Sequence, residues 1–544
     1  MSKRTISQML LLMTLLLFAI LICHGDGRQS LSQLYVDNET WNQMIQERDE
    51  WQPDEMIEMQ IADAVYFNGY RLPYDSENHM LLYSLVEDTP QAYDPVVKLV
   101  CHYKSAKIVF NGDAISEELI RTNGTIHAMV YSDSEYAIYQ LKCTTLPILE
   151  IEASADDVGD ESINVGFRLF DNRVGVVNRQ IDTSAAIHLR GNNSRAYPKN
   201  DYRISLRTLS SGNNWRKHHL SLLGMRMDED WILKGLYNDP EKVREVFSSN
   251  LWYETCADNN MFGVANGMQY RYVEVFFDKQ YWGIYALGHP IDAKQLELSE
   301  DEHIYKKSYR PTEKEMMLGK YMESDENRTY PPEMVYSYEG GNEVSPDFEP
   351  LQYFYWVLHY AQQDQKTDLY EIADVNNSID ILLFIDVIQG VDHVHYSGAL
   401  YNLYMTAKRD ENGKTRMLYT PWDMDRTWGM YFEDEKHSNP AGFVRMPHNI
   451  VVRLREFGDE EITARFCDRY WQLRAGGWSD AELERRLREY EEVIYHSGAY
   501  DRDFSKWHIS TYKEFEYCND LSDFIDYVHK RMAHMDEYIH SLLQ

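Results

Sequence analysis

Two acidic segments near the middle of the chain carry residue types that bind a hard metal ion. Asp392 follows a predicted buried helix, Asn402 lies in a predicted strand, and Asp423 and Asp425 come directly after the next strand. Mg²⁺ prefers carboxylate and amide oxygens and completes its shell with phosphate and water. Phosphoryl transfer chiefly requires positioning and charge neutralisation, so a few such groups suffice. The segments therefore indicate a metal site suited to phosphate chemistry.

The order Asp, Asn, hairpin, strand, Asp is also the order found in protein kinases. There the first Asp positions the substrate hydroxyl, the Asn holds Mg²⁺, and the second Asp holds the metal that bridges the phosphates. Other interpretations stay open for these residues alone. Asp423 and Asp425 also suit a helix cap or a structural Ca²⁺ site, and a carboxylate pair also serves glycoside hydrolysis. His393 and His395, beside the carboxylates, suit a transition metal.

A basic turn upstream carries cations that suit phosphate binding. A predicted strand reaches Arg190, turns through a polar segment and returns as a strand that bears Lys199 and Arg203. Turns of this kind expose backbone N–H groups, and flanking cations meet phosphate oxygens. An ordinary basic hairpin is the alternative, because neither G-x-G-x-x-G nor G-K-[ST] is present.

Two apolar strands around a polar turn predict a hairpin over residues 272–285, with Glu274 in its first strand. Such a hairpin suits the wall of a nucleotide cleft, and a purely structural hairpin is the alternative. An apolar stretch from Ile379 to Gly390 predicts the buried helix that leads to Asp392.

Five motifs in order resemble the CotH family of spore-coat-type atypical protein kinases. The resemblance covers about half the chain, from about Ile187 to Gly429, and the helical tail is also similar. The matching segments are Arg190-Gly191-Asn192-Asn193-Ser194-Arg195 with Pro198-Lys199 and Tyr202-Arg203, Asp230-Trp231-Ile232-Leu233, Arg244, Tyr272-Val273-Glu274 with Tyr281-Trp282-Gly283-Ile284-Tyr285, and Pro421-Trp422-Asp423-Met424-Asp425-Arg426-Thr427-Trp428-Gly429.

The resemblance implies a kinase that uses ATP with Mg²⁺ or Mn²⁺ and transfers the γ-phosphate to Ser or Thr of secreted or surface proteins. It further implies roles for single residues. The catalytic Asp is then Asp392, the metal ligands are Asn402, Asp423 and the adjacent Asp425, and the phosphate-contacting Lys is Lys199. The other residues expected to bind the cofactor are Arg190, Arg203 and Glu274.

Three departures from the family pattern support an alternative function. Asn200 replaces a second Lys, His289 stands where the family usually has a Glu, and the spacing from Asp392 to Asn402 is longer than usual. The alternative is a non-catalytic, kinase-like surface protein that serves in binding or adhesion.

The elements that position these residues predict an α+β fold. An atypical protein-kinase-like domain is preceded by a small all-β sandwich and followed by a helical tail. The predicted parts are a signal peptide at 1–25, a polar stalk or helix at 26–61, the β-sandwich at 62–150, the CotH kinase-like domain at 151–445 with an insertion at 311–349, and its helical C-terminal part at 446–544.

Charge and the first residues bear on location and partners. The formal net charge of −34 argues against nucleic-acid binding. Lys3 and Arg4 precede an apolar run from Met9 to Ile22, which predicts a signal peptide. An uncleaved N-terminal anchor is the alternative and the sole expected membrane contact. We expect a secreted or cell-surface monomer that acts on a secreted or surface protein.

Overall fold

The chain forms two compact units in a computed structural model. The first unit holds residues 1–150, 169–181 and 276–281, and the second holds 151–168, 182–275 and 282–544. The structure describes residues 29–49, 62–89, 91–103, 105–133, 135–191, 193–209, 214–307, 332–339, 346–394, 399–430, 439–508 and 517–544. The predicted signal peptide and most of the predicted insertion lie outside these residues, and the predicted domain boundaries stay predictions.

The first unit is built from two sheets. A four-stranded sheet has the order Gln29–Ser30, Val96–Cys101, Ala62–Phe67, Tyr70–Arg71. A five-stranded sheet has the order Tyr74–Asp75, Met80–Ser84, Tyr136–Thr144, Ile126–Tyr131, Lys107–Asn111. The helices of this unit are Asn38–Asp49 and Glu117–Arg121.

One apolar core joins these two sheets. Val65 and Phe67 of the smaller sheet pack in the same cluster as Leu81 and Phe110 of the larger one. The alternation of apolar and polar residues along the strands places these side chains on the inward faces. All cysteines in the described part of the chain are free thiols.

The larger sheet of the second unit carries the basic motifs. Its strand Asp201–Leu209 pairs antiparallel with Gln180–Arg190 and with Asp230–Lys234. Asp230–Lys234 pairs in turn with Gln280–Gly288. The other strands of this sheet within the unit are Ile163–Phe170, Trp215–Lys217 and Tyr270–Phe277. Along Ile148–Glu152 the chain passes from the first unit to the second.

A smaller four-stranded sheet carries the acidic motifs. Its order is Tyr336–Tyr338, His303–Lys307, Leu403–Arg409, Thr415–Pro421, and neighbouring strands are antiparallel. The last two strands form the hairpin that the Asn-Gly turn at 412–413 predicts, with Gly413 in the left-handed region at φ 74°. A two-stranded ribbon joins Leu220–Ser221 and Met227–Asp228.

Helices make up the rest of the second unit. They are Arg244–Thr255, Pro332–Val335, Glu349–Tyr360, Lys366–Ile372, Val375–Val387, Ile450–Glu456, Glu460–Arg474, Asp480–Ile494, Ala499–Trp507 and Ser522–Ser541. Val375–Val387 is the buried helix predicted before Asp392, and Asp374 caps it by accepting a hydrogen bond from the Asn377 N–H. None of the helices in the described ranges combines the length and the apolar character needed to cross a bilayer. The described residues therefore form a mixed α+β protein.

Candidate active site

Asp423 links the two sheets of the second unit through a contact with Lys234. It follows the strand Thr415–Pro421 and adopts a left-handed backbone with φ 59°. Non-glycine residues adopt this conformation uncommonly, and such strain concentrates at functional sites. The Asp423 carboxylate accepts a hydrogen bond from the ammonium of Lys234, the last residue of the strand Asp230–Lys234 in the larger sheet.

Lys234 is surrounded by acidic side chains. Its Nζ lies 3.6 Å from the Asp201 carboxylate as well as against Asp423, and its side chain is 10% exposed. Burial disfavours the charged form of Lys234, but Asp423 and Asp201 outweigh burial and hold its pKa well above the usual value. The backbone after Lys234 packs closely against the backbone at Asn200. Gly235 permits this packing, since a Cβ at residue 235 would lie 3.0 Å from the Asn200 carbonyl oxygen.

The charge of Asp423 itself is stabilised by nearby cations. Burial disfavours its charged form, yet Lys234 and then Arg190 lower its pKa below the usual value. The Arg190 charge thus favours the ionised form of Asp423. Lys306 contributes to the same field and stacks over the Trp422 ring at 4.1 Å.

Two further carboxyls lie behind Asp423. Asp425 accepts a hydrogen bond of 2.8 Å from the Asn238 side chain, and burial together with the Asp423 charge raises its pKa to about 6. Glu245, at the start of the helix Arg244–Thr255, is fully buried, and burial raises its pKa to about 8 although Lys234 opposes the shift. These carboxyls repel one another, so a cation bound at this place would be stabilised.

Asp392 and Asn402 form a second pair beside Asp423. The Asn402 amide nitrogen donates to an Asp392 carboxylate oxygen at 2.9 Å and to the Asp392 carbonyl oxygen at 3.2 Å. The Trp422 N–H donates to the Asn402 carbonyl oxygen at 3.1 Å, which ties the pair to the segment that carries Asp423. Asn402, like Asp423, has a left-handed backbone, with φ 48°.

The protonation of Asp392 responds to the same surroundings. Although its side chain reaches the surface, the adjacent protein limits its hydration, and this together with the Asp423 charge raises its pKa. A carboxyl with a raised pKa is a better proton acceptor for a hydroxyl at neutral pH. The geometry thus brings Asp392, Asn402, Asp423 and Asp425 into one region.

Lys199 lies in a different environment. Its ammonium donates to the Asp503 carboxylate and, at 2.6 Å, to the Ile284 carbonyl oxygen. Burial lowers its pKa to about 8, and Asp503 opposes that shift. Because the lysine is engaged in this buried pair, its predicted contact with phosphate stays a prediction.

Arg203 and Glu274 are also engaged in ion pairs. Arg203 lies 3.1 Å from Asp230, and Glu274 accepts two hydrogen bonds of 2.9 Å from Arg502, with both of those side chains buried. The structure therefore places these two predicted cofactor ligands, together with Lys199, in separate pairs, whereas the charge of Arg190 lowers the pKa of Asp423.

A tighter acidic cluster lies elsewhere in the second unit. Within the described ranges, the side chains whose ligand atoms converge closely enough for a metal are Asp228, Glu229 and Asp230. Lys294 contacts Asp228 at 2.6 Å and Lys217 contacts Glu229 at 2.7 Å. The cluster is thus neutralised by lysines and forms an ion-pair network.

Comparison with protein families settles the family of the chain. The family model described as CotH kinase protein matches residues 187–535, which is most of the chain. The chain is a member of the CotH kinase family. Comparison with curated proteins gave no match. The matched range includes the smaller sheet, the acidic site and the part of the larger sheet that follows residue 187.

Membership in the CotH kinase family implies ATP and a divalent metal as cofactors in general. The donor set here fits that chemistry, because Asp423, Asp425 and Asn402 offer hard oxygens and the two carboxylates repel each other. Lys234 and Arg190 supply positive charge beside them for phosphate. Asn402, Asp423 and Asp425 stay the predicted metal ligands.

Sequence reasoning missed two members of the site, Lys234 and Glu245. Each stands directly after a residue of a CotH-like motif, since Lys234 follows Asp230-Trp231-Ile232-Leu233 and Glu245 follows Arg244. Arg244 itself is buried and pairs with Asp239 and Glu241. The position of Lys234 and Glu245 beside these motifs was thus the signal that the sequence offered. It did not show which side chain faces Asp423.

The buried residue His289 should make this CotH protein sensitive to acid. Burial, and then Arg226, lowers its pKa from 6.5 to about 4. As the pH falls, the His289 imidazole is therefore protonated in the unfolded chain before it is protonated in the folded protein. The free energy of unfolding falls as the pH falls from 6.5 to about 4. Between pH 7 and pH 5 the expected loss is about 2 kcal/mol.

Denaturant unfolding of the wild type and of His289→Gln at pH 7 and pH 5 measures this effect. The variant should lose less stability than the wild type over that step, by about the same 2 kcal/mol. His540→Gln, at an exposed position of the helix Ser522–Ser541, is the matched control and should behave like the wild type. Equal pH dependence in all three proteins would contradict the prediction.

Proposed function

We propose that this CotH-family protein is an exported atypical protein kinase that transfers the γ-phosphate of ATP to Ser or Thr hydroxyls of secreted or surface proteins. The observation that carries the proposal is the joining of Asp392 and Asn402 to the Asp423 segment through the Trp422 N–H. The joining supports a role for Asp392 in positioning the acceptor hydroxyl beside oxygen ligands for a metal, two parts that recur in phosphoryl-transfer enzymes.

Asp392, Asn402 and Asp423 have separate roles in the proposed reaction. Asp392 accepts the hydroxyl proton of the acceptor residue and orients its oxygen. Because the Asn402 amide nitrogen donates to Asp392, the Asn402 amide oxygen is left for a metal, together with Asp423. Mg²⁺ or Mn²⁺, when bound, neutralises the phosphate charge. In this proposal the two sheets of the second unit form a kinase-like arrangement around the nucleotide.

The export and the monomeric state belong to the same proposal. The basic residues Lys3 and Arg4 before the apolar run support a secreted or cell-surface location, with an uncleaved N-terminal anchor as the alternative. The acceptor is accordingly a protein of the same compartment, and the acidic charge of the chain favours basic segments in that acceptor.

A second function is favoured by one observation. Lys234 already pairs with Asp423, so the charge of that carboxylate is balanced without a metal. A protein held in that state would be a kinase-like binding module on a surface, with no transfer of phosphate.

Thermal unfolding with ATP, and with Mg²⁺ or Mn²⁺, separates the two functions. Ligand binding to the native state at one hundred times Kd adds about 2.7 kcal/mol, so the melting temperature of a kinase should rise when ATP and metal are both present. ATP with a chelator is the control and should give a smaller shift. No shift with either metal would favour the binding module.

Transfer of labelled γ-phosphate to casein-like acceptors is the direct test. The purified full chain should label Ser or Thr in a metal-dependent reaction. If ATP and metal stabilise the protein but no acceptor and no autophosphorylation site is labelled, the kinase proposal is wrong and a nucleotide-binding module remains.

A further inference from the structure

The Lys234–Asp423 pair occupies the position at which the proposed function requires a metal. The ammonium contacts one Asp423 carboxylate oxygen, and the Asp201 carboxylate lies 3.6 Å from the same nitrogen. Asp423 is 27% exposed and Lys234 is 10% exposed, so the carboxylate opens toward solvent while the lysine reaches it from within. A single monovalent side chain thus balances the key metal ligand.

We infer that Lys234 is a place-holding cation, which balances Asp423 in the metal-free protein and moves to the phosphate oxygens when nucleotide and metal bind. The inference rests on the proposed function and adds a phosphate-contacting residue to it. A divalent ion competes with Lys234 for Asp423, and the nucleotide phosphates that accompany the ion offer Lys234 a new anionic partner.

The side chain of Lys234 suits such an exchange. A lysine carries a compact charge with three donors on a flexible four-carbon stem, so its ammonium can change partners while the backbone stays in place. The backbone is held by the pairing of Asp230–Lys234 with both neighbouring strands and by the Gly235 N–H, which donates to Asp201 at 2.6 Å.

Lys199 is less suited to this contact. Its side chain is fully buried, and its ammonium donates to Asp503 and to a backbone carbonyl oxygen. Moving it to phosphate would leave the Asp503 carboxylate buried beside Lys242 alone. Lys234, by contrast, gives up Asp423 to an incoming cation, and its second neighbour, Asp201, keeps the hydrogen bond from the Gly235 N–H.

Metal and nucleotide affinities of Lys234→Met test the exchange. Without nucleotide, Mn²⁺ should bind the variant at least tenfold more tightly than the wild type, because the competing cation is gone. ADP in the presence of saturating Mn²⁺ should bind the variant at least tenfold more weakly, because a phosphate contact is lost. Lys530→Met removes one lysine charge at an exposed position of the helix Ser522–Ser541 and should change neither affinity.

Lysine acylation of the wild-type chain, read by mass spectrometry, gives a test that needs no variant. Mn²⁺ alone should raise the acylation rate of Lys234 as its ammonium leaves Asp423, and Mn²⁺ with ADP should lower the rate again. This measurement decides the matter if Lys234→Met fails to fold.

The outcomes separate this inference from the proposed function. Unchanged affinities in a folded Lys234→Met, or a Lys234 acylation rate indifferent to Mn²⁺ and to ADP, would overturn the inference while wild-type phosphate transfer still supports the kinase. A wild type that binds Mn²⁺ in competition with Lys234, yet binds no nucleotide and transfers no phosphate, would instead overturn the proposed function.

Discussion

Asp423→Ala should lower phosphate transfer by at least about a thousandfold while the protein stays folded. The variant loses the carboxylate that would hold the metal beside the phosphates. The fold should survive because Lys234 keeps Asp201 as a neighbour at 3.6 Å and Asp423 lies in a partly exposed turn. Transfer of labelled phosphate and the melting temperature are the two measurements.

Asp392→Asn is expected to abolish transfer as well, for a different reason. The amide keeps the shape of the side chain but accepts no proton from the acceptor hydroxyl. ATP and metal should still stabilise this variant, whereas they should stabilise Asp423→Ala much less. Asp526→Ala, at an exposed position of the helix Ser522–Ser541, is the matched control and should retain full activity. Labelled phosphate that still reaches substrate in both site variants would show the assignment to be wrong.

The proximity of Asn402 to the segment of Asp423 could be predicted from the sequence, because a single hairpin brings them together. The Asn-Gly turn sets a hairpin, the hairpin sets the register of Leu403–Arg409 against Thr415–Pro421, and that register brings Asn402 beside the segment of Asp423. The buried helix that ends before Asp392 supplies the remaining residue. The predicted CotH family is confirmed by the family comparison.

The cationic part was not accessible in the same way. Lys199 precedes the strand Asp201–Leu209, and Lys234 ends the neighbouring strand Asp230–Lys234, in which Leu233 faces Tyr202. Both lysines therefore lie at the same end of this strand pair, and the sequence alone does not tell which of them reaches Asp423. The partner of Lys199 is Asp503, which comes from a helix far along the chain. Pairings of that separation depend on tertiary packing, and a family motif does not encode them. Likewise, the tip of the predicted hairpin, residues 276–281, belongs to the first unit, because Phe276 and Tyr281 pack with Met80 and Leu82.

Asp503→Ala should destabilise the second unit by about 3–5 kcal/mol, the largest stability effect that we expect of a single carboxylate. Asp503 is buried, binds Lys199 and the Ile284 N–H directly, and lies 3.5 Å from Lys242. Removing it leaves two lysine charges without compensation in a site that excludes water. Denaturant unfolding at neutral pH measures the loss, and Asp526→Ala again serves as the exposed control.

A second substitution then distinguishes a structural Lys199 from a phosphate-contacting one. If Lys199 serves to pair with Asp503, Lys199→Met should lower the free energy of unfolding. The double variant Lys199→Met with Asp503→Ala should lose less free energy of unfolding than the sum of the two single variants, because each change removes the charge that the other leaves unpaired. A Lys199→Met protein of wild-type stability that no longer binds ATP would reverse the assignment. Lys199 would then be the phosphate contact that the family resemblance implies, and Asp503 would position its ammonium.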